Sequence, residues 1–516
     1  MLDQQQQQIK ALQSALEEQR KMLQNLTPPA ETPNAAALEK SVQDLQTSVN
    51  DIKAQEGQIV SPPLSPEAEK VEDELQRGPE IADVTPDTPA IPLGPAKIRL
   101  IGYPALTSVF RSTNGGGNVG TSFGGIPFSN TVAGNTSEFR LSAQSTRLAV
   151  RADADLKNSK VAGYFEMDFG GQVPGNVAVS STSYGFRIRQ AWFDYSTGKF
   201  EFTAGQLFSL MTPSKQNILP WPGDVATSQV LDTNYLAGTV WARYPQLRLV
   251  YHLSKSANLG FSMENPEQTA CGVTFPSALA TTLGTQYDNC SSSSGPGLSV
   301  PNLTPDFVFK ASIDSKFAGG RAFHFDVAGL LRVFRNYDPT SSNPVSGHEY
   351  SVGGGGNVDA SLQLTPKVRY LIQLYGSSGG GRYIGGLIPD VVVQSNGSIT
   401  PVPAYSWTSG FEIAPDKNTG YYVYYSGNYG ERETVLDTAT GKLVGWGFPG
   451  ASNGADRYIQ EATGGYSRVI WKGENLGSVQ MGIQYGYVWL SPWSAGAGPS
   501  QAHTNMVFGQ TRYNLP

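Results

Sequence analysis

From Lys97 to Pro516 the chain alternates with a period of two, and connections of two unequal kinds interrupt the alternation. In 476–490, Val479, Met481, Ile483, Tyr485, Tyr487 and Trp489 fall on one side of a strand, and Ser478, Gln480, Gly482 and Gln484 on the other. In 161–169, Val161, Phe165 and Met167 oppose Tyr164, Glu166 and Asp168; in 306–315, Phe307, Phe309 and Ile313 oppose Lys310, Ser312 and Asp314. The period is that of a β-strand, whose successive side chains leave by opposite faces. Short turns fall at 157–160, 196–199, 254–257, 317–320, 365–367, 416–420 and 472–476. Long Gly/Ser/Pro/Asn loops fall at 111–136, 171–184, 208–237, 265–303, 336–347, 378–404, 430–456 and 491–502. Seven turns and eight loops predict sixteen antiparallel strands with both ends on the short-turn side.

A short-turn rim facing a long-loop rim is the pattern of a transmembrane β-barrel, in which the apolar face meets lipid and the polar face a watery lumen. No run of 18 apolar residues occurs, so no transmembrane helix is written here. The mean hydropathy of -0.28 suits a barrel whose strands average apolar with polar residues. The opening MLDQQQQQIK has no apolar leader core, so the barrel reading expects a leader upstream of Met1.

Three segments are expected. Residues 1–59 carry helical heptads: Leu2, Ile9, Leu16 and Leu23 repeat every seven, with Leu12 and Leu26 in the companion row. That spacing describes a coiled-coil seam. Residues 60–96 form a Pro- and Glu-rich linker, and 97–516 the barrel. Residues 1–96 hold seven basic and sixteen acidic groups, a net of -9; the remainder holds 30 and 27, a net of +3.

The expected lumen wall carries Arg147, Arg151, Arg187, Arg189, Arg332 and Arg369 with Glu166 and Asp168. Cross-strand neighbours can set Arg187 and Arg189 opposite Glu166 and Asp168, as ion pairs or as guanidiniums turned to the pore. Loop 208–237 contains Ile218, Leu219, Trp221 and Leu231, which suit a loop packed on the inner wall with Lys215, Asp224 and Asp232 facing a constriction. Tyr421, Tyr422, Tyr424, Tyr425, Trp471, Tyr485, Tyr487 and Trp489 are expected as interface girdles. Cys271 and Cys290, the two cysteines of the chain, are expected to form a local disulfide.

Enzyme motifs fail on context. GGGNVG (115–120) and GSSGG (376–380, centred on Ser378) both lie in Gly-rich loops without a following helix. The four histidines show no metal-ligand spacing. No cofactor, metal, catalytic residue or nucleic-acid partner is therefore expected.

The succession of a heptad segment, a Pro-rich linker, SAQSTRLAVRADADL, AGYFEMDFGG, FRIRQAWFDY and KFEFTAGQLFSLMTP resembles the DcaP-like trimeric porins of Gram-negative outer membranes, most strongly over 97–265. The resemblance implies a homotrimer in the outer-membrane bilayer with a periplasmic coiled coil. It also implies passive uptake of small organic anions such as dicarboxylates, with Arg187 and Arg189 on the basic lumen wall. The alternative function is an envelope tether, in which the coiled coil holds a periplasmic or peptidoglycan partner and the barrel serves as anchor.

Overall fold

The computed structural model describes residues 89–115, 118–171, 184–218, 226–227, 229–288, 302–317, 320–338, 347–385, 387–451, 454–496 and 498–516. The expected coiled coil, most of the linker, and Leu219, Trp221, Asp224 and Cys290 lie outside them. The tail of the expected linker is strand: β1 (Ile91–Leu93) turns back on β2 (Ala96–Tyr103).

The rest is one antiparallel sheet. β3 (Ala105–Arg111) continues β2 across Pro104. β4 (Glu138–Ser142), β5 (Arg147–Leu156), β6 (Ser159–Asp168), β7 (Arg187–Thr197), β8 (Phe200–Phe208), β9 (Arg243–His252) and β10 (Ala257–Glu264) follow. After a four-residue helix, α1 (Ala280–Leu283), come β11 (Asp306–Lys316), β12 (Ala322–Tyr337), β13 (His348–Thr365) and β14 (Val368–Ser378). β15 (Val391–Val393) and β16 (Ile399–Pro401) form a separate hairpin, after which β17 (Pro403–Asp416) and β18 (Thr419–Gly430) return to the sheet. A second hairpin, β19 (Glu433–Asp437) with β20 (Lys442–Trp446), precedes β21 (Asp456–Gly473), β22 (Gly477–Pro492) and β23 (Ala502–Asn514).

From β5 onward each sheet strand pairs with the next sheet strand in sequence, β14 bonding β17 and β18 bonding β21. β23 bonds β3, β3 bonds β4, and β2 bonds β5. The seven expected short turns each join two strands that pair with one another.

The faces are inverted relative to a soluble sheet. Leu100, Phe165, Ile188, Leu249, Phe309, Leu374, Val423 and Ile483 are exposed, while Glu166, Arg189, Lys310, Asp326, Gln373, Glu461 and Gln484 are buried on the other face. Strict alternation from Arg187 and Arg189 would carry Phe193 and Tyr195 onto the arginine face. A bulge prevents this: Glu166 pairs with Gln190 and Met167 with Ile188, leaving Arg189 as the extra residue. Beyond it Trp192 and Asp194 turn inward and Phe193 and Tyr195 outward. Tyr422 and Tyr424, expected in a girdle, also point inward, donating to Gln484 and Glu412 at 2.7 and 2.5 Å; Tyr421 and Tyr425 are exposed as expected.

Candidate functional site: a cleft between an inner loop and the arginine wall

The described parts of the loop joining β8 to β9 lie on the polar face of the sheet. Near its start, Ser214 donates to Asp326 Oδ2 on β12 at 2.9 Å and the Asn217 amide to Asp314 on β11 at 3.0 Å. Lys310 Nζ, 2.8 Å from Asp326, donates to the Thr212 carbonyl at 2.9 Å. Near its end, the Leu231 amide donates to Gln484 on β22 at 2.6 Å and the Ala237 amide to Glu461 on β21 at 2.9 Å. Buried wall side chains thus receive the loop's backbone, which would otherwise lose its hydrogen bonds on leaving bulk water.

Apolar residues fix the same course. Leu210, Met211, Ile218 and Val240 pack with Val308, Leu330 and Tyr375 of the wall and with Ile388, Val392, Val435 and Trp446 from the two hairpin loops. That core fills the side bounded by β9 to β17. The expectation that the loop's apolar residues pack on the inner wall holds for Ile218 and Leu231.

The opposite side keeps an opening beside a second apolar cluster, in which Phe123, Ile126 and Ala237 pack on Val488, Met506 and Phe508. A cleft continuous with solvent lies between loop residues 229–235 and the wall. Its charged lining is Arg147 (β5), Asp168 (β6), Arg189 (β7), Asp232 of the loop and Arg512 (β23), with Tyr103, Gln480 and Gln510 between them. Arg189 bonds Glu166 at 2.5 Å and Asp168 at 3.2 Å, and its Nη2 reaches the Tyr235 hydroxyl at 3.3 Å. Arg187 forks onto Asp168 at 3.0 and 2.7 Å. Arg147 lies 3.9 Å from Glu166 and 5.8 Å from the Tyr103 ring centroid. Arg512 donates to the neutral Gln480 at 2.8 and 2.5 Å and stacks 4.8 Å from Tyr103.

Asp232 is the loop's acidic contribution, and Lys215 is not among the lining residues. The Asp232 carboxylate accepts the amides of Thr121 at 3.2 Å and Asn234 at 2.9 Å. Burial pushes its carboxyl above the ordinary value, against the pull of those hydrogen bonds and of Arg111.

Four expected lumen arginines have other roles. Arg332 is wholly buried, bonded to Asp306 at 3.0 Å and Asp390 at 2.8 Å, and it ties loop 379–390 to the wall. Arg369 is paired with Glu412, and Arg151 with Asp153 at 2.8 Å, so each neutralises a neighbour on the wall. The partly exposed Arg187 is held as a counter-ion to Asp168. Cys271 is disulfide-bonded, and the one other cysteine of the chain is Cys290. Among the described residues no group of three or more potential ligands could hold a metal.

Arg512, Gln480 and Tyr103 were missed as a site. The inward row of β23 is Thr504, Met506, Phe508, Gln510 and Arg512, in which two apolar residues hide the polar alternation. Met506 and Phe508 are buried because they pack against Phe123, Ile126 and Ala237 of two loops.

No family model matches the chain, and no curated protein does. Among solved structures, the outer-membrane channel DcaP of Acinetobacter baumannii superposes with a TM-score of 0.56 at 16% identity, covering 81% of this chain and 97% of that one. The anion-selective porin of Comamonas acidovorans aligns at a TM-score of 0.43 and 12% identity, over 81% and 100%. The DcaP superposition alone shows the fold, that of an outer-membrane channel protein. Within that class it is similar to DcaP, the resemblance that the sequence motifs carried.

Proposed function

We propose that the chain is an outer-membrane porin that passes small hydrophilic solutes through the cleft between loop 229–235 and the arginine wall. The observation that carries this reading is the inverted sheet: a lipid-compatible outer face encloses a polar inner face with an open, charged cleft. The pairing of β23 with β3 and of β2 with β5 supports a closed barrel of sixteen spans, with 96–111 and 138–156 each one span. Anion preference belongs to the same proposal. Arg147, Arg189 and Arg512 line the cleft with Asp168 and Asp232, and burial favours the neutral form of Asp232. Small dicarboxylates fit such a wall because the guanidinium fork binds carboxylates in bidentate fashion. The heptad of Leu2, Ile9, Leu16 and Leu23 supports a homotrimer held by a periplasmic coiled coil.

The test is the reversal potential of the purified protein in a planar bilayer under a salt gradient, with and without succinate. Anion selectivity and succinate block, both weakened in Arg147→Ala plus Arg512→Ala, are expected. Cation selectivity would overturn the anion reading, and absence of conductance would overturn the porin.

A further inference from the structure

Outside the cleft, the long-loop rim carries a basic cluster for which the transport reading has no use. Arg432, just past β18, and Arg457, at the start of β21, are both exposed. Their guanidinium carbons lie 5.4 and 4.9 Å from the centroid of one indole ring, that of Trp493. Among the described residues neither guanidinium meets a carboxylate within ion-pair distance. The nearby Glu431 accepts from the Tyr405 hydroxyl at 3.2 Å.

The indole is fixed. Its Nε1 donates to the Gly430 carbonyl at 2.9 Å, and the Tyr429 ring stands edge-on at 6.0 Å. Trp493 follows β22 on the alternation of the exposed Met481, Ile483 and Tyr485, the face turned to lipid. Beneath it on that face Tyr405 packs on Tyr429, and Tyr425 and Tyr487 pack on Trp489. Tyr and Trp on the outer face collect at the depth of lipid headgroups. Two guanidiniums held on a shared ring beside such a belt stand where lipid phosphates lie, and Arg binds phosphate through its planar fork. At the same rim on β12 and β13 a single guanidinium, that of Arg335, sits 5.6 Å from the exposed Tyr350 ring and bonds His348 at 2.9 Å.

We propose that Arg432, Arg457 and Trp493 form a docking site for the phosphate of an outer-leaflet lipid headgroup. The inference rests on the outer-membrane reading, which places the long-loop rim in that leaflet.

The test is binding of lipid A, a bisphosphorylated glycolipid, to the detergent-solubilised full chain, compared with its dephosphorylated form. The double variant Arg432→Gln plus Arg457→Gln is expected to weaken binding of the phosphorylated lipid at least about tenfold, with the dephosphorylated lipid bound equally by both proteins. Equal binding of both lipids by wild type, or no loss in the variant, would overturn the site. Competition by inorganic phosphate at concentrations matching the lipid would assign the cluster to soluble anions and overturn the lipid assignment. Should the double variant fail to fold, Arg457→Lys keeps the charge and removes the fork; a several-fold loss is expected, and unchanged binding would overturn the proposal. Planar-bilayer conductance of the same wild-type sample tests the porin reading separately, since lipid binding is read without any current.

Discussion

Two regions on the polar face of the sheet use arginine in opposite ways. On the side of β9 to β17, Arg332 and Arg382 are buried against Asp306, Asp390 and the rings of Phe334, Tyr244 and Tyr383, beneath an apolar core made by three loops. On the side of β5 to β7 and β21 to β23, Arg147 and Arg512 stay partly exposed at a cleft among Gln, Tyr and Asp, while the buried Arg189 behind them is paired with Glu166 and Asp168. The chemistry of the residue is the same. What differs is whether a loop with apolar side chains covers it. A guanidinium sealed from water must be fully paired, because stripping its hydration is costly. One that keeps a wet face can act on solutes.

The largest expected effect comes from breaking the sealed side. Arg332→Ala leaves Asp306 and Asp390 buried with a missing partner and should destabilise the protein by about 3–5 kcal/mol, read as a lower urea midpoint with an unchanged slope. Next is Ile218→Ala, which opens a cavity under the crossing loop and should cost about 2–4 kcal/mol by the same measurement, without shifting the reversal potential. A shifted reversal potential would mean that the two sides are not independent.

On the open side the effects should appear in transport rather than stability. Arg512→Ala removes one unit charge from a wet cleft, worth about 1 kcal/mol of local potential or roughly fivefold in anion concentration, and should move the reversal potential toward zero. The smallest effect concerns pH. The Asp232 carboxyl is raised by burial, so as pH falls it gains its proton earlier than an ordinary aspartate and the cleft loses a negative charge. Anion preference should therefore increase as pH falls toward the ordinary carboxylate range, and Asp232→Asn should show the increased preference at neutral pH and lose that part of the pH dependence. A pH profile identical in wild type and Asp232→Asn would remove Asp232 from the cleft's electrostatics.

Local chemistry was legible wherever one strand's own alternation decided the answer. That Arg187 and Arg189 face Glu166 and Asp168 could be expected from neighbouring strands; the register sets Arg187 opposite Asp168, and Arg189 reaches Glu166 from the bulge. Trp192 could not be placed, because one bulged residue at Arg189 exchanges the faces of everything after it. Tyr422 and Tyr424 were misplaced because a run of four tyrosines broken by Val423 names no face by itself; their hydroxyls find Gln484 and Glu412 inside.

By itself the sequence determined the period, the strands of the main sheet and the turns and loops between them, because these follow from the two-residue repeat and from Gly, Pro and Asn at its breaks. Only the tertiary structure decided which arginines meet water. That depends on a loop remote in sequence laying Ile218 and Met211 over one wall while its Asp232 and Tyr235 border a cleft at the other, and on β23 returning to bring Arg512 to the same cleft as Arg147. Burial is a property of what covers a residue, and no residue carries its own cover.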